Sequence, residues 1–77
     1  MNELEILNKD VGGITIKEMS AMTFLQWVAK KMDGVKTYDA TAVELSGLIK
    51  SPPMTRVMSD DKKLEIINKL SKLGITI

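Results

Sequence analysis

The chain has no cysteine and no histidine. Disulfides are therefore excluded. So are metal sites built on thiolate or imidazole, and acid–base chemistry by an imidazole near neutral pH. Aromatic side chains are scarce, with Phe24, Trp27 and Tyr38 one of each kind. The two prolines, Pro52 and Pro53, stand side by side, and Arg56 is the single arginine. No apolar run approaches the roughly 18 residues of a membrane-spanning helix, so no membrane partner is expected. Eleven basic and ten acidic residues leave a net charge of +1. That balance lacks the concentrated basic footprint of a nucleic-acid-binding domain and disfavours nucleic acid as a partner. An all-carboxylate metal site needs clustered acids, and here they are scattered, so no metal or other cofactor is expected.

What remains is an aliphatic, methionine-rich chain of 77 residues, enough for one domain spanning 1–77. A domain of this size buries only about 60–65% of the surface its unfolded chain exposes, so its stability is marginal. Leu, Ile, Val and six Met must fill the core. Methionine fills irregular gaps and also suits adaptable binding surfaces. So small a core leaves self-association open. The opening MNELEILNK has neither the basic stretch nor the apolar stretch of a signal peptide, and the expected location is the cytoplasm.

Leu4 and Ile6 alternate with Glu3 and Glu5, as Ile14 and Ile16 do with Thr15 and Lys17. This is the period of half-buried strands. The intervening NKDVGG is rich in turn formers. The pattern predicts an N-terminal β-hairpin; the competing reading is a helical turn over residues 2–8, which would make the protein mainly α. Thr23 and Gln26 have the spacing of a capping box, with Met22 and Trp27 placed as a hydrophobic staple. They predict a helix over 23–33, with Phe24, Trp27, Val28 and Met32 on its apolar stripe and Gly34 as its left-handed stop. A second helix over 40–50 is capped by Asp39 or Thr41, Thr41 forming a box with Glu44. It is ended by Pro52 and Pro53, which lack amide donors. A third over 59–73 starts at Ser59 with Asp60 and Asp61 in its first turn. It carries a Glu65–Lys69 pair and stops at Gly74, with Ile75 against Leu70. The tail ITI alternates again and predicts a short C-terminal strand. The fold expected is therefore α+β: a short N-terminal hairpin, three helices and a short C-terminal strand. Its expected core is Ile14, Ile16, Phe24, Trp27, Val28, Leu45, Leu48, Ile49, Leu64, Ile67, Leu70 and Ile75.

Reactive constellations are missing from the pattern. Asp60 and Asp61 adjoin, but consecutive helical residues point about 100° apart, so they do not form a carboxylate pair. Gly12-Gly13 lies in a hairpin-like loop, away from any strand–loop–helix phosphate cradle. Lys30-Lys31 and Lys62-Lys63 read as solvated faces. Trp27 reads first as core and second as a binding anchor. The connector SPPMTRVMSDD reads as a stop followed by a start, with Met54, Val57 and Met58 against the core and Arg56 outward. An enzyme is not expected.

Two stretches carry a family resemblance. The order ITIKEMSAMTFLQWVAKKM, then VELSGLIKSPPMTRVMSDDKKLEIINKLSKLG, resembles the small phage tail-assembly chaperones. The matching parts are a short strand-forming segment (Ile14 to Met19), a turn into a helix (Ser20 to Trp27), a connector with proline and Met-Thr (Leu48 to Thr55) and a Leu-rich closing helix (Ser59 to Leu73). The resemblance implies a cytoplasmic protein that keeps a tape-measure protein soluble during tail building and is absent from the finished particle. Met22, Trp27, Met32, Met54, Arg56 and Met58 are the residues expected to form the protein-binding patch. Two other readings stand beside this one. TAVELSGLI followed by KLEIINKLSKLGI resembles the helix pair of winged-helix DNA-binding regulators. Against it, the connector is long, the residues after Gly74 are too few for a wing, and Asp60 and Asp61 would face phosphate with like charge. The third reading is a phage-encoded inhibitor of a host enzyme, which needs the same apolar patch. The partner is thus another protein, a phage structural protein or a host enzyme.

Overall fold

A computed structural model describes residues 2–51 and 54–77. It combines helices with a two-stranded antiparallel hairpin: α1 (Glu3–Leu7), β1 (Asp10–Val11), β2 (Ile14–Thr15), a 3-10 turn (Ile16–Glu18), α2 (Ala21–Met32), α3 (Ala40–Lys50) and α4 (Asp60–Lys72). Helices α2 and α3 pack together, α3 packs on α4, and α1 lies across α4 and the 3-10 turn.

The N-terminus corrects the expected hairpin. Residues 3–7 are helical, in line with the competing reading. The Asn2 side chain accepts a hydrogen bond from the Glu5 amide at 2.8 Å, and Glu3 and Glu5 lie in the first turn. A side-chain cap and favourable acids at a helix N-terminus outweigh the alternation of Leu4 and Ile6. The hairpin forms further on and is smaller. Asp10 faces Thr15 and Val11 faces Ile14. Gly12 and Gly13 have φ of 65° and 94°, the two positive values required by a type I′ turn.

The start of α2 is shifted upstream of the expected box. Ser20 is the cap, and its hydroxyl accepts from the Thr23 amide at 3.2 Å. Met22 is thus already inside the helix and exposed. The staple positions fall instead on Met19 and Phe24, both buried in the core. Asp39 alone caps α3, accepting from the Thr41 amide at 2.8 Å. Glu44 turns away to bond Lys69 on α4. The expected stop at Pro52 and Pro53 lies outside the described residues. Ser59 caps α4 as expected, accepting from the Lys62 amide at 3.2 Å. The Glu65–Lys69 pair is replaced by Lys62–Glu65 at 2.9 Å and by Lys69–Glu44.

The end of α4 is a Schellman motif. Ile75 N–H bonds the Leu70 carbonyl at 3.1 Å, Gly74 N–H bonds the Ser71 carbonyl at 3.0 Å, and Gly74 has φ of 83°. The expected C-terminal strand is not formed. The Ile75 amide is committed to the cap, and the sheet holds β1 and β2 only. Ile75 and Ile77 pack on the core instead.

The core gathers Ile16, Phe24, Val28, Leu45, Leu64, Ile67 and Leu70 from the expected set. Ile14, Trp27, Leu48, Ile49 and Ile75 are half-buried around it. Leu7, Met19, Leu25 and Ile66 join it from outside that set, and Met58 joins it as the reading of the connector expected. Each large apolar side chain taken fully out of water contributes about 1.5–3 kcal/mol.

Candidate functional site

Among the described residues, the connector between α3 and α4 is tied to α2 at one backbone point. The Ala21 amide, at the first turn of α2, donates to the Arg56 carbonyl at 3.2 Å. An N-terminal helix amide has no partner within its own helix, so the connector supplies one. Met54, Arg56 and Val57 are exposed, whereas the expectation had Met54 and Val57 against the core. Only Met58, 7% exposed, is tucked inward. One buried residue anchors the connector, and the tied backbone at Arg56 turns its neighbours outward. Beside them opens a groove of about 500 Å³, lined by Leu48, Thr55, Val57, Met58 and Lys62 among others.

The six residues assigned to a binding patch separate into several places. Met54 and Arg56 are exposed in the connector, whereas the exposed Met22 lines a separate small groove with Leu25, Gln26, Ala29 and Ile49. Met58 sits in the core. Met32 is half-buried in a second groove, of about 680 Å³, between α2 and α3, together with Val35, Tyr38, Val43 and Ile49. Trp27 is five residues on from Met22, about 140° around the helix. Its ring packs against Phe24 at 5.7 Å between centroids, under the ammonium of Lys31 at 5.8 Å. Val57, which joins the connector edge, was missed because an apolar residue beside methionines in a connector reads as an anchor.

The most unusual polar group is Lys63, which corrects its reading as solvated. It is 1% exposed. Its ammonium donates to the carbonyls of Ile16, Lys17 and Met19 at 2.8, 3.0 and 2.8 Å. It also stands 5.9 Å from the Phe24 ring centroid. The lysine closes the end of the 3-10 turn, whose carbonyls have no helix to continue into. All three protons of the ammonium find acceptors, as burial of a charge demands. Desolvation pushes its pKa below the ordinary 10.5, opposed by the nearby Asp60 carboxylate. The signal was in the sequence. Lys63, Ile67 and Leu70 have i, i+4, i+7 spacing, so Lys63 stands on the buried stripe of α4. With all its protons engaged, the amine has no lone pair to offer a substrate. Lys62, in contrast, is exposed and paired. Its bond to Glu65 lowers that carboxyl's pKa, helped by Lys69, while the bond to Glu44 raises the pKa of Lys69.

Among the described residues no three acidic side chains come close enough to hold a metal ion. Nor is any helix among them long and apolar enough to cross a membrane. Comparison of the chain with protein-family models, with curated proteins and with solved structures found no match.

Proposed function

We propose that the chain is a non-enzymatic interaction module that covers an apolar helical segment of another protein. The partner we propose is a phage tape-measure protein during tail assembly, in the host cytoplasm. The observation that carries this reading is the connector edge. Met54 and Val57 stand uncovered in the connector, and Val57 lines a groove together with Leu48 and Met58. Flexible methionines repack around differing apolar side chains, and a rimmed apolar surface is the usual mark of a protein-binding face. Arg56 at the rim adds a donor for a carboxylate on the polar face of a bound helix.

The charged groups weigh against the winged-helix reading. The first turn of α4 carries Asp60 and Asp61, Lys63 is buried, and Lys62 and Lys69 are engaged by Glu65 and Glu44. Few cations on that helix remain for phosphate.

The test is co-expression with the apolar central segment of a tape-measure protein encoded alongside the chain. The soluble fraction of that segment is expected to rise several-fold. The rise is expected to vanish with the double substitution Met54→Glu, Val57→Glu, which alters exposed side chains only. An unchanged soluble fraction with the parent chain overturns the proposal.

A further inference from the structure

Gly47 has no reason to be glycine inside the monomer. It lies within α3, its φ is not positive, and nothing comes within 4 Å of where a Cβ would stand. Glycine weakens a helix interior relative to alanine. Neither a turn nor a close intramolecular approach offsets that loss here. The open space beside it admits close approach by a second chain.

The surroundings of Gly47 agree. Ala40, Val43, Gly47 and Lys50 follow at steps of three, four and three, which sets them on one stripe of α3. At about 100° per residue this stripe lies opposite the buried Leu45. All four residues are exposed, and Val43 retains 64% of its surface. Tyr38, just before the helix, is 98% exposed. The flanks of the stripe are Glu44, which bonds Lys69, and Ser46. The stripe is thus small or apolar from Ala40 to Gly47 and ends at Lys50, and Val43, Gly47 and Lys50 form one wall of the groove between α2 and α3.

We propose that a second copy of this chain covers the stripe, with the two α3 helices antiparallel about a two-fold axis. In that register Val43 lies over Gly47 of the partner subunit, and the reverse contact follows by symmetry. The valine fills the space that the missing Cβ leaves. Lys50 meets the end of the partner helix that carries Asp39 of the partner subunit. No ion pair among the described residues engages Lys50 or Asp39. A parallel pair would instead oppose Lys50 to Lys50 and Asp39 to Asp39, so charge selects the antiparallel arrangement. The contact area of one short helix pair falls in the small class, below about 1,200 Å², where association is weak and reversible. This face is separate from the connector edge, so the inference does not depend on the proposed function.

Sedimentation equilibrium of the full chain from about 10 to 500 µM tests it. A reversible monomer–dimer equilibrium within this concentration range is expected, in keeping with a small interface. Val43→Lys and Gly47→Leu are each expected to weaken it at least tenfold, with the urea midpoint of Gly47→Leu no lower than the parent's. Because the chain lacks cysteine, register is read directly. In a mixture of Val43→Cys and Gly47→Cys chains, the mixed disulfide is expected to form faster than either homodisulfide. A parent chain monomeric at 500 µM overturns the proposal. So does a dimer indifferent to both substitutions, or a Val43→Cys homodisulfide that forms fastest.

Discussion

Replacing Lys63 by methionine leaves an unbranched side chain, shorter by the nitrogen alone, and removes its charge. Three carbonyls lose their donor, those of Ile16, Lys17 and Met19. The Lys17 acceptor is only partly buried and can turn to water; the contacts at Ile16 and Met19 are buried. An unsatisfied buried group costs about 1–3 kcal/mol, so two of them cost about 2–6 kcal/mol. Removing the ammonium relieves its own desolvation, but the hydrogen bonds that compensated it disappear as well. Because Lys17 and Glu18, between Ile16 and Met19, are exposed, the segment can shift to admit water, and the lower half of that range applies, about 3 kcal/mol. A domain of 77 residues has a total stability of about 4–12 kcal/mol, so the substitution removes a large fraction of it. Urea unfolding followed by far-UV circular dichroism is the assay. With an m value of about 1 kcal/mol/M, the midpoint is expected to fall by about 3 M. Hydrogen exchange should localise the loss, with protection at the Met19 amide falling before that of the α4 interior. A Lys63→Met chain as stable as the parent, or more so, would refute the reasoning. It would mean that ammonium burial outweighs the carbonyl contacts.

The same lysine sets a pH dependence. Its folded pKa lies below the ordinary 10.5, so between the two values the unfolded chain binds more protons. Its contribution to stability therefore rises as pH climbs through that window. The stability gap between the parent and Lys63→Met is expected to widen from neutral pH toward 10.5, and a flat or narrowing gap refutes the shift. Lys69, raised above 10.5 by its bond to Glu44, acts oppositely. Its contribution is lost as pH rises through the raised value, and it cancels in that comparison. Ser20→Ala is expected to cost about 1 kcal/mol by removing the cap of α2, whereas Gln26→Ala changes stability by less than about 0.5 kcal/mol; equal effects in urea melts would restore the Thr23–Gln26 box. Gly74→Ala forces a left-handed φ on a residue with a Cβ and is expected to cost about 1–2 kcal/mol, seen as a lower thermal midpoint. An unchanged midpoint would contradict the Schellman geometry.

Short-range signals were the most legible. Ser59 and Asp39 announced the starts of α4 and α3, and Gly34 and Gly74 marked ends, because caps and left-handed stops satisfy backbone groups within a few residues. The helical stripes of Phe24 and Val28 and of Ile67 and Leu70 likewise identified core residues. Failures came where two local solutions compete. Glu3–Leu7 fits both a strand period and a capped helical turn, and the contact of α1 with α4 and the 3-10 turn favours the helix. At α2, Ser20 and Thr23 both qualify as caps; burial of Met19 and Phe24 selects Ser20. The candidate site was half legible. Met54 and Arg56 are exposed in the connector, but Met58 is buried and Met22, Trp27 and Met32 lie elsewhere.

The amino-acid order by itself determined that the segments of α2, α3 and α4 coil, that α2 and α4 stop at Gly34 and Gly74, and which stripe of each turns inward, since these depend on neighbours three or four positions away. Only the tertiary structure decided that Lys63 is interior, that Glu44 rather than Glu65 bonds Lys69, and that Ile75 completes a helix cap instead of a strand. The first two of these depend on atoms brought together from residues more than 20 positions apart. The last depends on whether a sheet edge lies within reach. Periodicity carries no information about either.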